Sequence, residues 1–258
     1  LLSRGLGDVY KRQGRARADI PVCCVLTLRD DPARTVEEAL RFKQRGFTTY
    51  TVKVGKNVRQ DVHNVAAVRE ALGDDASLYV DANGSLNFDD ALRLLHELAP
   101  YRIDGAEQPL AHWDLDGAAA LAARSPVALL LDESIGSTHD LFGATQRRAA
   151  TGVQTKTAKN GGAWHIRQLW TLASAAGWRI RPGNHPSTSL ATLSVAHLAT
   201  AWGGPLLEGP FAGGIDGELA GDVVTQPVRL QGNRLALDDR PGWGVELDPD
   251  ALERWRIA

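Results

Sequence analysis

An α/β chain whose parallel strands close into an eight-stranded (β/α) barrel is the fold this sequence predicts. Three observations predict it. Short β-branched or apolar runs alternate with helical patterns from Ile20 onward, the units recur at a spacing of about 25 residues, and ionisable residues fall at the ends of the runs. Such alternation argues for βαβ units and a parallel sheet. The regularity of the units favours closure over an open doubly wound sheet. A chain of 258 residues, 43% of them hydrophobic, is enough for one large core, and α/β barrels commonly form single domains of about 200–250 residues.

Ile20–Leu28 is the first strand expected, then Asp30–Gly46 a helix with Val36, Ala39 and Phe42 at helical spacing and Gly46 as its stop. Thr48–Val54 is strongly β-branched, and Asp61–Leu72 places Val62, Val65, Ala66 and Leu72 on one helical face. Ser77–Val80 is a strand and Phe88–Leu98 a helix carrying Ala91, Leu95 and Leu98. Ile103–Glu107, Val127–Leu131 and Gly152–Thr155 are further strands. Ile166, Leu169, Trp170 and Ala173 form an i, i+3, i+4, i+7 stripe closed by Gly177. Trp178–Arg181 and Pro205–Glu208 complete the strands, with Leu190–Ala201 as the helix between them.

Composition excludes several partners. A formal net charge of −2 gives no electrostatic footprint for nucleic acid or an anionic membrane. The apolar runs fall short of the roughly 18 residues needed to span a bilayer. The two cysteines, Cys23 and Cys24, are chain neighbours, so no ordinary loop-closing disulfide joins them, and a reduced, cytoplasmic setting is expected. The opening stretch Leu1–Gln13 (LLSRGLGDVYKRQ) has no periodicity joining it to the strands and helices beyond Ile20. It resembles translated adapter read-through, with a disordered basic segment or a piece of real helix as the alternative, and is set aside from the fold.

The functional signal lies in register. Lys53, Asp81, Glu107, Asp132 and Lys156 stand at or just after the ends of five consecutive strands, at gaps of 28, 26, 25 and 24 residues. In a barrel, catalytic groups sit at the C-terminal strand ends. Three carboxylates on one rim repel unless a cation neutralises them. Oxygen ligands without cysteine or histidine favour a hard ion, Mg²⁺ foremost with Mn²⁺ as substitute. Such an ion would hold a substrate carboxylate and stabilise the enediolate formed as the α-proton leaves. The flanking lysines would transfer that proton, given a pKa drawn toward neutrality by burial and a nearby cation. The competing reading is helix N-cap and first-turn acids, with a rim salt bridge for Lys156.

The segments TVKVG (51–55), VDANGSLN (80–87), AEQP (106–109), LDESI (131–135) and TKTAKNGG (155–162) resemble the muconate lactonizing enzyme (muconate cycloisomerase) subgroup of the enolase superfamily. The resemblance runs from about Ile20 to the C-terminus. It implies a modified enolase-type barrel with Asp81, Glu107 and Asp132 as Mg²⁺ ligands and Lys53 and Lys156 as catalytic bases. Asn83, Gln108, Glu133 and Lys159 match neighbouring polar positions outside the ligands. It also implies an N-terminal α+β capping domain that nothing in this sequence matches, so a truncated product is expected. Residues 14–212 would then be the barrel, and 213–258 a tail that packs on the absent cap. The implied function is a Mg²⁺-dependent cycloisomerase acting on a small carboxylate, in a possible homo-oligomer. Rival readings are an N-acylamino acid or dipeptide racemase or epimerase, an o-succinylbenzoate synthase, and a barrel that no longer catalyses.

Two places depart from the pattern or extend it. Thr51 stands where the subgroup has the first lysine of its K-x-K motif, which contacts the substrate carboxylate and helps activate its neighbour. His185, in RPGNHPSTS, lies just after the seventh strand and is expected to line the pocket rather than to serve as a base, since Lys156 is present. Asn184, Ser187 and Glu208 are further candidates for lining the substrate. GGIDG (213–217) is expected to be a turn.

Overall fold

The computed structural model describes residues 14–27, 29–210, 219–237 and 239–256. The expectations for Leu1–Gln13 and for GGIDG (213–217) fall outside the described residues.

Parallel strands alternate with helices throughout the barrel. The strands are β1 (Asp19–Leu26), β2 (Thr49–Lys53), β3 (Ser77–Asp81), β4 (Gly105–Glu107), β5 (Leu129–Leu131), β6 (Gly152–Lys156), β7 (Arg179–Gly183) and β8 (Gly209–Pro210). They pair side by side in the order β7-β6-β5-β4-β3-β2-β1-β8. The curled sheet brings its two ends together. Gly209 and Pro210 pair with Val22 and Cys23 of β1, while the Leu207 N–H just before them donates to Ile180 O of β7 at 2.8 Å. The eighth strand therefore lies a few residues later than the expected Pro205–Glu208, because only Gly209 and Pro210 reach β1.

The helices between these strands are α1 (Pro32–Gln44), α2 (Val58–Leu72), α3 (Phe88–Leu98), α4 (Leu115–Ala122), α5 (Thr138–Arg147), α6 (Ala163–Ala175) and α7 (Ser189–Ala201). Most begin at a side-chain cap that accepts an otherwise orphaned N–H: Asp31, Asn57, Asn87, Asp114 and Ser137 do so for α1 to α5. These caps sit in the loops, so the strand-end acids Asp81, Glu107 and Asp132 are not capping residues. The stripe expected on α6 is buried in full, and the Trp170 indole N–H donates to Thr155 Oγ1 of β6 at 2.8 Å. On α2 the buried face is turned from the expected one, with Asp61, Asn64 and Val68 inside and Val62 and Ala66 half-buried. Asp61 is inside because its carboxylate accepts from the Gly55 and Asn57 N–H groups at 2.8 and 3.3 Å.

Beyond β8, strand β9 (Arg234–Ala236) pairs antiparallel with β1, and α8 (Pro249–Arg254) comes after it. The described part of the tail thus lies on the barrel itself, with Trp243 edge-on to His197 of α7 at 5.2 Å between ring centroids. Among the described residues no helix is long and apolar enough to cross a membrane.

Inside the barrel, Tyr79 and Leu130 fill the floor beneath the strand ends, and a glycine makes room for them. A Cβ on Gly105 would come within 2.5 Å of Leu130 Cδ1 and 3.1 Å of the Tyr79 ring. Close-packed interiors resist such insertions. Gly105→Ala is therefore expected to lower unfolding stability by about 1–3 kcal/mol in urea melts; an unchanged midpoint would contradict this packing.

Candidate active site

Strand pairing sets three of the five candidates in one row. Lys53 pairs with Asp81, and Asp81 with Glu107, each the last residue of its strand. Asp132 comes directly after β5 and Lys156 ends β6. In-register parallel strands alternate side chains between the two faces, so residues that share a row and point inward converge on the barrel mouth. Lys53, Asp81, Glu107 and Lys156 line one cavity of about 310 Å³ together with Val25, Thr51, Asn83, Gln154, Asn184 and His185. A larger hollow of about 480 Å³ lies between α7 and the tail and contains none of these acids and lysines. Size alone does not mark the site.

Each carboxylate is turned to a cation. Lys53 Nζ donates to Asp81 Oδ2 at 2.5 Å and to Asn83 Oδ1 at 2.6 Å. Lys156 Nζ donates to Asp132 Oδ2. Lys159 Nζ lies 2.7 Å from Asp132 Oδ1 and donates to the Asp132 and Gln154 carbonyls. Arg181 donates to Glu107 Oε2 at 3.1 Å, with both side chains essentially buried (0% and 1% exposed). Burial is costly for a lone charge, and pairing is the usual remedy.

The proton affinities reflect these contacts. Burial, then repulsion from Asp81 and Asp132, pushes the Glu107 carboxyl well above its ordinary value despite Arg181 and Lys156. Burial also opposes ionisation of Asp132, but Lys159 and Lys156 outweigh it and hold that carboxyl low. For Lys156 burial favours the neutral amine, and Asp132 and Glu107 reverse the balance, so its pKa is raised. Burial wins at Lys159, whose pKa is lowered. His185 is lowered too, by burial and then by Lys156.

The surrounding polar residues fix this geometry. Gln108 sits at φ 38°. Its Oε1 accepts from the Asp132 and Ser134 N–H groups at 2.9 and 3.1 Å, and its Nε2 donates to Leu110 O and Ser134 Oγ. Asn83, at φ 45°, ties Asp81 to Glu133: its N–H donates to Asp81 Oδ1, and its Nδ2 to Glu133 Oε1. Non-glycine residues at positive φ are uncommon and gather at functional sites. Asn184 Nδ2 donates to Thr192 Oγ1 at 2.8 Å, while its buried Oδ1 and the Ser187 Oγ have no hydrogen-bond partner among the described residues. Glu208 does not belong with the others. It precedes β8 and lines a separate hollow with Thr49, Ser77 and Tyr79 at the opposite strand ends, because the eighth strand starts later than expected.

Sequence reasoning missed Arg181, Gln154 and Asn160. Asn160 Oδ1 accepts from the Lys156 N–H and its Nδ2 donates to Ile135 O, holding the end of β6. Strand parity offered one signal: Arg181 lies two residues before Gly183, the partner of Lys156, and so shares its inward face.

Whether these residues suit a divalent cation can be judged from their unpaired atoms. Among the described residues, no three of His, Cys, Asp and Glu are already arranged as a ligand set. The carboxylates are instead drawn to lysines and Arg181. Yet Glu107 Oε1 is buried and, among the described residues, has no hydrogen-bond partner. A buried carboxylate oxygen left over, in a trio whose members repel one another, fits a hard cation with oxygen ligands.

Residues 34–251 match the family described as enolase C-terminal domain-like. The chain belongs to that family. Within it, the chain is 31% identical over 249 residues to N-succinyl-L-Arg/Lys racemase of Bacillus cereus, covering 95% of this chain and 65% of the racemase. It is 32% identical to muconate cycloisomerase 1 of Pseudomonas putida, covering 94% of this chain and 64% of that protein. Among solved structures, muconate lactonizing enzyme from Pseudomonas putida superposes with a TM-score of 0.88 at 31% identity, covering 96% of this chain and 69% of that one. The dipeptide epimerase from Enterococcus faecalis superposes with a TM-score of 0.83 at 26% identity, covering 92% and 68%. The chain thus spans just under two thirds of the length of the curated family members named here.

Replacing Gln108 with Leu strands the Asp132 and Ser134 N–H groups. A loss of at least about 1–3 kcal/mol in chemical unfolding is expected. Unaltered stability would mean that water replaces the amide.

Proposed function

We propose that this chain carries the proton-transfer centre of an isomerase that exchanges the proton α to the carboxylate of a small substrate. The observation that supports it is the placement of Lys53 and Lys156. They end β2 and β6, four places apart in the strand order, and line the same cavity with Asp81 and Glu107 nearby. Two lysines reaching in from opposite sides, one as the neutral amine and the other as the ammonium, can remove a proton from one face of a carbon and return one to the other. General acid–base catalysis of this kind requires both groups within reach of the same carbon.

Asp81, Glu107 and Asp132 would hold a Mg²⁺ ion. When bound, that ion supplies positive charge for the substrate carboxylate and for the negative charge that develops as the proton leaves. The chain's own residues do the rest. Lys156 is held protonated by Asp132 and Glu107, so it acts as a base only once those carboxylates are engaged elsewhere. Lys159 stays against the Asp132 and Gln154 carbonyls and fixes the end of β5. Asn83 keeps Lys53 and Asp81 together on one side, and His185 and Asn184 wall the other.

The opposed lysines favour the racemase or epimerase version of this chemistry, as in the relative that acts on N-succinyl-Arg/Lys. The cycloisomerase version draws on the similarity to muconate cycloisomerase and requires only one proton donor. Incubating N-acylamino acids in D₂O separates the two. Deuterium entering the α-position from both enantiomers supports the racemase, whereas lactone formation from muconate without such exchange supports the cycloisomerase. Lys156→Ala and Lys53→Ala are each expected to abolish racemisation and to confine exchange to the enantiomer whose α-proton faces the remaining lysine. Exchange at wild-type rates in both variants would refute the assignment.

Mg²⁺ at 100 times its Kd is expected to stabilise the chain by about 2.7 kcal/mol, reversed by EDTA and lost in Asp132→Ala. A melt indifferent to Mg²⁺ would remove the metal from this reading.

A further inference from the structure

Arg181 makes contacts that span the barrel rather than a single loop. Its side chain is fully buried. One terminal nitrogen donates to Glu107 Oε2 of β4 at 3.1 Å. The other donates to Thr51 Oγ1 of β2 at 2.7 Å and to Cys23 Sγ of β1 at 3.1 Å. Nε donates to Glu208 O, just before β8, at 3.0 Å. The guanidinium carbon lies 4.1 Å from the centroid of the Tyr79 ring of β3. One residue of β7 therefore makes contact with β1, β2, β3, β4 and the approach to β8. A planar fork of five donors can serve so many directions at once, which a lysine cannot.

That geometry has a consequence for Glu107. Arg181 takes Oε2, and among the described residues Oε1 is left buried without a hydrogen-bond partner, on a side chain that lines the cavity. The cation also has a neutral neighbour at position 51. A lysine there would lie against the guanidinium, whereas the Thr51 hydroxyl accepts from it.

We propose that Arg181 is the positioning residue of the metal site. It clamps Glu107 through Oε2, which leaves Oε1 for the metal, and it supplies from β7 the floor-level positive charge that is absent from position 51 of β2. This inference rests on the metal-binding reading proposed above. The clamp and Thr51 form a matched pair: the barrel floor has room for one cation, contributed by position 181 or by position 51.

The test compares Mg²⁺ affinity, measured by titration calorimetry with Mg²⁺ alone, across four forms of the chain. These are the wild type, Arg181→Met, Glu107→Gln and the pair Arg181→Met/Glu107→Gln. Partners that orient metal ligands typically contribute roughly 10–100-fold in affinity. Arg181→Met is expected to weaken Mg²⁺ by such a factor. Because Arg181 acts through Glu107, the double variant should bind no more weakly than Glu107→Gln alone, a full departure from additivity. A purely structural role would leave affinity unchanged or make the two losses additive, and either result overturns the proposal.

Arg181→Met leaves Glu107 buried without its cation and is at risk of unfolding. The swapped variant Thr51→Lys/Arg181→Met covers that case. It is expected to fold and to bind Mg²⁺ within a few-fold of wild type, while Thr51→Lys alone, with two cations in one space, melts earlier than wild type. A swapped variant that folds but does not regain affinity refutes the exchange of positions. Absence of Mg²⁺ binding in the wild type would instead refute the metal reading and this inference with it. Retention of full affinity in Arg181→Met refutes this inference alone.

Discussion

The ion pair between Arg181 and Glu107 is buried where neither partner can find water, and the rest of the site is arranged around that fact. A carboxylate or guanidinium removed from solvent is tolerated only with a partner and with its remaining hydrogen-bonding atoms satisfied. Arg181 meets that condition through Thr51, Cys23, the Glu208 carbonyl and the Tyr79 ring. Glu107 does not meet it, since one oxygen has no hydrogen-bond partner among the described residues. Its side chain lines the cavity, where burial and then two further carboxylates raise its proton affinity. Desolvation and mutual repulsion are thus concentrated at the one place where a divalent cation would relieve both.

The same electrostatics governs the lysines. Three carboxylates meet Lys53, Lys156 and Lys159 in the barrel mouth and Arg181 beneath it, so each acid has a cationic partner without any added ion. Lys156 is held protonated by this pairing, and Lys159 is driven the other way by burial. Two lysines three residues apart, one ending β6 and the other in the loop after it, therefore differ in character because of depth and partner, not residue type. A cation entering among the carboxylates would redistribute those partnerships, which couples metal binding to the availability of a base.

Much of the architecture was legible because it depends on local chemistry. β-branched runs, helical stripes such as Ile166–Ala173, and the spacing of strand ends are properties of short segments. Helices α4 and α5 were not legible. Both are short, and α4 is an alanine-rich segment without a broad apolar stripe, although Ser137 and Asp140 form a capping box that marks the start of α5. The eighth strand was misplaced because Pro205–Glu208 looks as apolar as a strand, yet pairing requires a partner edge, and β1 offers one only to Gly209 and Pro210. Glu208 was drawn into the candidate set by the same error.

By itself, the sequence determined the barrel class, the family, and the five ionisable residues at consecutive strand ends. Each of those rests on spacing or on a motif a few residues long. Only the tertiary structure decided which charges are paired, which oxygen is left over, and that Arg181 stands beneath Glu107. Residues 107 and 181 are 74 apart in the chain, and nothing within either segment encodes their meeting. It results from the closure of the ring, which brings the inward face of β7 across to β2 and β4 and gives Thr51 a cation for a neighbour.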